Sequence, residues 1–163
     1  MAKSKEEKTN VMRVLEQKKI AYSAHTYPHE EGVAVDGVTV AQSMGFDPAS
    51  VFKTLVARGA SKQYYVFDVP VAENLDLKKA AKAVGEKSIE MIHQKELLPL
   101  TGYVHGGCSP VGMKKLFPTV IDASAEDLST MIVSAGKIGY QVELSPRDLA
   151  TLVRAKFADL IAE

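Results

Sequence analysis

The chain has little of what usually assigns a protein quickly. Its 163 residues include no tryptophan, one cysteine, 7% aromatic residues and no net formal charge. The lone Cys108 excludes an intramolecular disulfide and leaves no thiolate cluster for a structural zinc. Twenty basic and twenty acidic residues cancel, which argues against a protein that coats duplex DNA through a strong positive field. A local basic patch could still serve a small RNA footprint. No apolar run approaches the ~20 residues of a membrane-spanning helix. The start Met1-Ala2-Lys3-Ser4-Lys5 lacks the apolar core of a signal peptide, so a cytoplasmic protein with no membrane contact is expected.

What remains is ordinary globular material, 46% hydrophobic and 25% charged, enough for one domain over residues 1–163. A chain of this size buries roughly 70% of its unfolded surface without staples. Val11, Val14 and Leu15 at helical spacing predict a helix over residues 5–19, with Thr9 and Asn10 able to delay or cap its start. Residues 21–27 read as a strand ended by Pro28, and 39–44 as a short helix closed by Gly45. Residues 51–57 and 63–69, split by Arg58-Gly59-Ala60-Ser61-Lys62, predict a β-hairpin. A helix over 75–84 ends at Gly85, a strand follows at 88–92, and a short helix is expected near 94–97. Further strands are expected near 101–104, at 119–122, 131–134 and 139–144. Ser145-Pro146-Arg147-Asp148 carries the signals of a helix start, and the last helix is expected to run to about Ile161. About seven short strands among four or five helices, without regular alternation, predict an α+β fold with a mixed, partly closed sheet or barrel surrounded by helices. Residues 30–37 are the segment expected to move most.

Gly106-Gly107-Cys108-Ser109-Pro110-Val111-Gly112 is the densest stretch for chemistry. Its glycines allow close backbone approach, Pro110 removes one donor, and the remaining N–H groups suit a phosphate, a carboxylate or an acyl carbonyl. A plain structural turn explains the same residues equally well. Cys108 and Ser109 are capable nucleophiles, but the sequence marks no base for them, and Pro110 breaks the Gly-x-Ser-x-Gly elbow. His25 and His29 flank Pro28 and cannot share a helical face, while His93 and His105 stand alone, so neither a metal nor any other cofactor is expected. In Val51-Phe52-Lys53-Thr54-Leu55-Val56 alternation places Lys53 on the face of Val51 and Leu55. An ammonium among apolar neighbours needs an anion or snorkels at a sheet edge. Lys78, Lys79 and Lys82 share a predicted helix, and Lys114, Lys115 and Lys137 flank glycine-containing loops; a solvated face is the simpler reading of both groups.

Several segments fall into register together: His25-Thr26-Tyr27, Val51-Phe52-Lys53-Thr54-Leu55, Leu75-Asp76-Leu77-Lys78-Lys79, Gly102-Tyr103-Val104-His105 with the loop to Pro110, and Val133-Ser134-Ala135-Gly136-Lys137. In order and spacing they closely resemble the YbaK/EbsC family of bacterial aminoacyl-tRNA deacylases, over nearly the whole chain. The resemblance implies the fold of the editing domain of bacterial prolyl-tRNA synthetases. It implies a free-standing enzyme that clears mischarged tRNA, most often Cys-tRNA(Pro), through attack of the substrate's own thiol and release of a thiolactone. It implies that Lys53 and Thr54 face the aminoacyl-adenosine end, and that the loop of Gly106, Gly107, Cys108, Ser109 and Pro110 shapes the pocket and touches substrate through its backbone. Tyr27 and Ser134 match further pocket positions. Gln141 stands where close relatives carry an aspartate, and Cys108 where an aliphatic residue is common, so the pocket's charge and amino-acid preference can differ, with alanine or serine as other substrates. The expected partners are the 3′ aminoacyl end of tRNA and prolyl-tRNA synthetase. A noncatalytic module binding an aminoacyl or nucleotide end is the rival from another class.

Overall fold

In a computed structural model, residues 8–163 are described. Residues 1–7, which hold the start of the first predicted helix and the stretch read for a signal peptide, lie outside them.

Among the described residues five short α-helices and eight strands follow one another, each helix of eight residues. Helix α1 (Asn10–Gln17) starts where Thr9 caps Met12 N–H, and buries Val11, Met12 and Leu15. Strand β1 (Tyr22–Thr26) leads to α2 (Gly37–Met44), capped by Asp36 and closed by Gly45 in the left-handed region. The predicted hairpin is β2 (Phe52–Gly59) and β3 (Tyr64–Pro70), paired antiparallel with Thr54 opposite Asp68. Helix α3 (Leu77–Val84) is capped by Asp76 and Gly85, and precedes β4 (Ile89–Met91) and α4 (Gln94–Thr101). Strands β5 (Thr119–Asp122), β6 (Met131–Lys137) and β7 (Tyr140–Leu144) follow, then α5 (Pro146–Val153) and β8 (Lys156–Ala158).

Two expectations fail locally. Residues 101–104 are not a strand: α4 extends to Thr101, whose hydroxyl donates to Leu97 O and accepts from Tyr103 N–H, and Gly102 caps it at positive φ. The last helix stops at Val153, because Arg154 turns into the left-handed region at φ 57° and the chain continues as β8, parallel to β5. That added strand makes eight.

The strands form a three-stranded sheet in order β1-β7-β6 and a five-stranded sheet in order β4-β2-β3-β5-β8. A parallel bridge between Val51 and Ile132 joins them at the start of β2. The main core lies where both sheets meet: Phe52, Val56 and Val66 from one, Met131, Val133, Val142 and Leu144 from the other, closed by Val11 and Leu15 of α1 and Leu149 of α5. The opposite face of the larger sheet, with Ala57, Phe67 and Val69, packs on Ala80 and Ala81 of α3. Strand alternation therefore sends Phe52, Thr54 and Val56 inward. Lys53 belongs to the other face, beside Leu55. Strand β4 pairs only with residues 57–59 of β2, so the Lys53 end has no β4 neighbour.

Candidate functional site

A cavity of about 360 Å³ opens at that junction, within the range of small-ligand sites. Lys53 and Thr54 of β2 line it together with Tyr27, Asp36, His105, Gly106, Cys108, Ser134 and Gln141. Seven of the residues singled out in the sequence thus line the same cavity: Tyr27, Lys53, Thr54, Gly106, Cys108, Ser134 and Gln141. Gly107, Ser109 and Pro110 do not line it. They are buried and brace the loop from behind.

The loop is held at both ends. Ser134 Oγ donates to Gly107 O at 2.9 Å and accepts from Gly136 N–H at 3.0 Å, tying the loop to the bulge that shifts register between Ser134 and Lys137. Tyr103 Oη donates to Val111 O, and Ser109 Oγ accepts from Val111 N–H. Gly107 N–H donates to Val104 O at 3.0 Å, which closes the turn. Gly106 sits at φ +91°, and a Cβ there would stand 2.7 Å from Ala34 Cβ, so only glycine lets this strap meet residue 34.

Electrostatics divide the wall. Lys53 is half-buried, and burial lowers its pKa against the opposing pull of Asp36 and Glu73. Its ammonium is thus partly stripped of water, and the N-capping Asp36 carboxylate shares the cavity lining with it. Cys108 is 8% exposed, and burial, with the nearby Asp68 charge, pushes its thiol up to about 12. It remains a neutral thiol near pH 7 and is no ready nucleophile. Ser109 is fully buried and occupied by Val111. Gln141 is 6% exposed, and its buried Oε1 has no hydrogen-bond partner among the described residues.

Two acids went unremarked in the sequence. Asp36 caps α2 and lines the cavity. Asp68, with no exposed surface, accepts from Thr54 Oγ1 at 2.5 Å, and burial raises its pKa to about 7. A lone acid in Tyr64-Tyr65-Val66-Phe67-Asp68-Val69 was as conspicuous as Lys53 in its own strand. Elsewhere the lysine groups are partly structural: Lys79 bonds Asp159 and Ile161 O, and Lys114 reaches Pro99 O. No helix among the described residues is long and apolar enough to cross a membrane.

The model of the aminoacyl-tRNA editing domain matches residues 32–152, which includes every lining residue of the cavity except Tyr27. The chain belongs to the aminoacyl-tRNA editing domain family. It is 45% identical over 161 residues, 98% of both chains, to the Enterococcus faecalis protein EbsC, described as a candidate Cys-tRNA(Pro)/Cys-tRNA(Cys) deacylase. A crystal structure described as a candidate trans-editing enzyme for prolyl-tRNA synthetase superposes with TM-score 0.79 at 26% identity, covering 94% of this chain and 95% of that one. The hypothetical protein APE2540 shares the fold, with TM-score 0.82 at 20% identity over 93% of this chain and 99% of that one. The mixed fold with two joined sheets is thus the editing-domain fold.

Proposed function

We propose that this protein is a trans-editing aminoacyl-tRNA deacylase whose preferred substrate is Cys-tRNA(Pro). The observation that carries the reading is the shared wall of Lys53, Thr54, Cys108, Ser134 and Gln141 around a cavity sized for a small aminoacyl group, in a chain of the editing family. The description of EbsC supports the amino acid, and that of the prolyl-tRNA synthetase-linked structure supports the tRNA and a synthetase partner.

The chemistry follows from what the wall offers. Neither side-chain nucleophile of the loop is available, Cys108 because burial keeps its thiol neutral and Ser109 because it is fully buried off the cavity lining. As the family resemblance implies, the nucleophile is supplied by the substrate: the cysteine thiol forms a bond to its own ester carbonyl carbon, the bond to the ribose oxygen breaks, and the thiol proton ends on that oxygen. Tethering nucleophile and ester in one molecule can contribute several kcal/mol through proximity alone. Lys53 supplies positive charge for the terminal ribose or phosphate, and its partial desolvation strengthens that contact.

Single-turnover deacylation tests the reading. Cys-tRNA(Pro) is expected to lose its amino acid, while S-methylcysteinyl-tRNA(Pro), which has no free thiol, stays charged. Loss of alanine or serine in place of cysteine transfers the preference to another small amino acid, and saturable tRNA binding without cleavage of any of them refutes the enzyme reading.

A further inference from the structure

Asp68 is unexplained by the fold. A second buried carboxylate, Asp122, accepts from two backbone donors, Ser124 N–H and Leu160 N–H, and thereby anchors the C-terminal segment. Asp68 anchors nothing. Its Oδ1 accepts from Thr54 Oγ1, its Oδ2 has no partner among the described residues, and it has no solvent. An unpaired buried carboxylate destabilises a core that valine or threonine would fill. Alternation places it on the inner face with Val66, opposite Thr54 in the pair register, and Thr54 lines the cavity.

We propose that Asp68 is a positioning residue for the pocket: its ionised carboxylate engages the proton of the Thr54 hydroxyl and turns that oxygen's lone pairs toward the bound substrate, where they accept the proton of the attacking group. This rests on the deacylase reading above. As the nucleophile forms its bond to the ester carbonyl carbon, its proton passes to Thr54 Oγ1, and Thr54 passes its own to Asp68 Oδ1. Both shifts reverse as the bond to the ribose oxygen breaks and the proton settles there. A protonated Asp68 is no longer a base for the proton Thr54 must pass on, so the relay closes.

The surroundings suit such a group. From β2 it meets Thr54, from β5 its register neighbour is Ile121, and from the glycine loop the Cys108 thiol feels its charge. Burial raises its pKa to about 7 against the lowering pull of the Thr54 hydrogen bond, with no cation contributing, so it changes state where an acceptor is most useful. Cys108 stays protonated across this range and does not compete.

The test is single-turnover deacylation of Cys-tRNA(Pro) from about pH 5.5 to about pH 8.5 by wild type, Asp68→Asn, Thr54→Val and the double variant. The ratio of wild type to Asp68→Asn is expected near one at the acid end, rising through neutrality to about tenfold or more at the alkaline end. In the Thr54→Val background, Asp68→Asn is expected to leave the profile unchanged. A ratio independent of pH overturns the inference, as does a pH-dependent ratio that survives without the Thr54 hydroxyl. Should Asp68→Asn not fold, Thr54→Ser and Thr54→Val decide: serine keeps the alkaline increment and valine loses it, and equal profiles refute the relay. A wild type active on this substrate with a flat ratio sinks this inference alone; a wild type inactive on every aminoacyl-tRNA offered sinks the deacylase reading and this inference with it.

Discussion

Asp68→Asn is expected to change the pH dependence of stability more than stability itself. The native carboxyl rises from its ordinary 3.8 to about 7 because it is fully buried with one hydroxyl donor. Between those values the folded protein holds a proton that the unfolded chain has released, so the stabilisation present below the unfolded pKa is lost as pH climbs through the folded one. At about 1.4 kcal/mol per pH unit, the interval amounts to roughly 4 kcal/mol. Asparagine keeps the shape and never ionises. Its amide introduces a pH-independent offset of about 1–3 kcal/mol if one of its donors finds no partner, so the difference in slope is the quantity to read. Urea denaturation of both proteins from about pH 4 to about pH 8.5 yields the two profiles. The wild type is expected to lose on the order of 4 kcal/mol relative to Asp68→Asn over that range, most of it before pH 7. Parallel profiles would show that Asp68 is solvated or paired in the folded protein, and the reasoning about its burial would be wrong. The same ionisation that destabilises the fold is the one proposed to open the proton relay, so stability and activity are expected to move in opposite directions with pH.

Lys53→Ala is expected to lower single-turnover deacylation by at least about 10²-fold while leaving the thermal midpoint unchanged or raised, since a partly desolvated ammonium is removed; unchanged turnover would remove Lys53 from the site. Ser134→Ala deletes the bonds to Gly107 O and Gly136 N–H and is expected to destabilise by about 1–2 kcal/mol and to raise KM more than it lowers kcat, as measured by denaturation and steady-state kinetics. Gly106→Ala meets both a positive φ and Ala34, and is expected to destabilise by about 1–3 kcal/mol and to impair activity through displacement of the loop. Cys108 is expected to react with iodoacetamide at about pH 8 some 10³-fold more slowly in the native than in the unfolded protein, and Cys108→Ala to retain turnover; a fast native reaction would place a thiolate in the pocket.

Local signals in the sequence carried most of the fold. Ser145 at a helix start, with Gly45 and Gly85 at helix ends, acts within a few residues, and the boundaries these residues set lie close to their expected places. The β2–β3 hairpin likewise depends on a short turn. The failures are long-range or conformational. Residues 156–158 form a strand only because β5 offers an edge more than thirty residues away, and Arg154 takes a left-handed conformation that no glycine announces. Tyr103 and Val104 have the residue types of a strand but find no ladder, since Tyr103 is committed to bracing the glycine loop through Val111. The site was legible where a residue broke its local pattern, as Lys53 does. Gly107, Ser109 and Pro110 were legible as a loop but not as its back side, because which face of a turn meets a cavity is settled by packing against β6. Asp68 broke its strand pattern too, but its pairing with Thr54 becomes visible only when β2 and β3 are in register.

The central claim is that this cavity holds a mischarged aminoacyl end whose own side chain attacks the ester. The most direct test is a single-turnover time course on matched Cys-tRNA(Pro) and S-methylcysteinyl-tRNA(Pro), with the released product trapped and identified by mass. Rapid release from the first as a cyclic thioester, with no release from the second, is the predicted result. Equal release from both as free amino acid would contradict it and would put water, or a group on the protein, in the role of nucleophile.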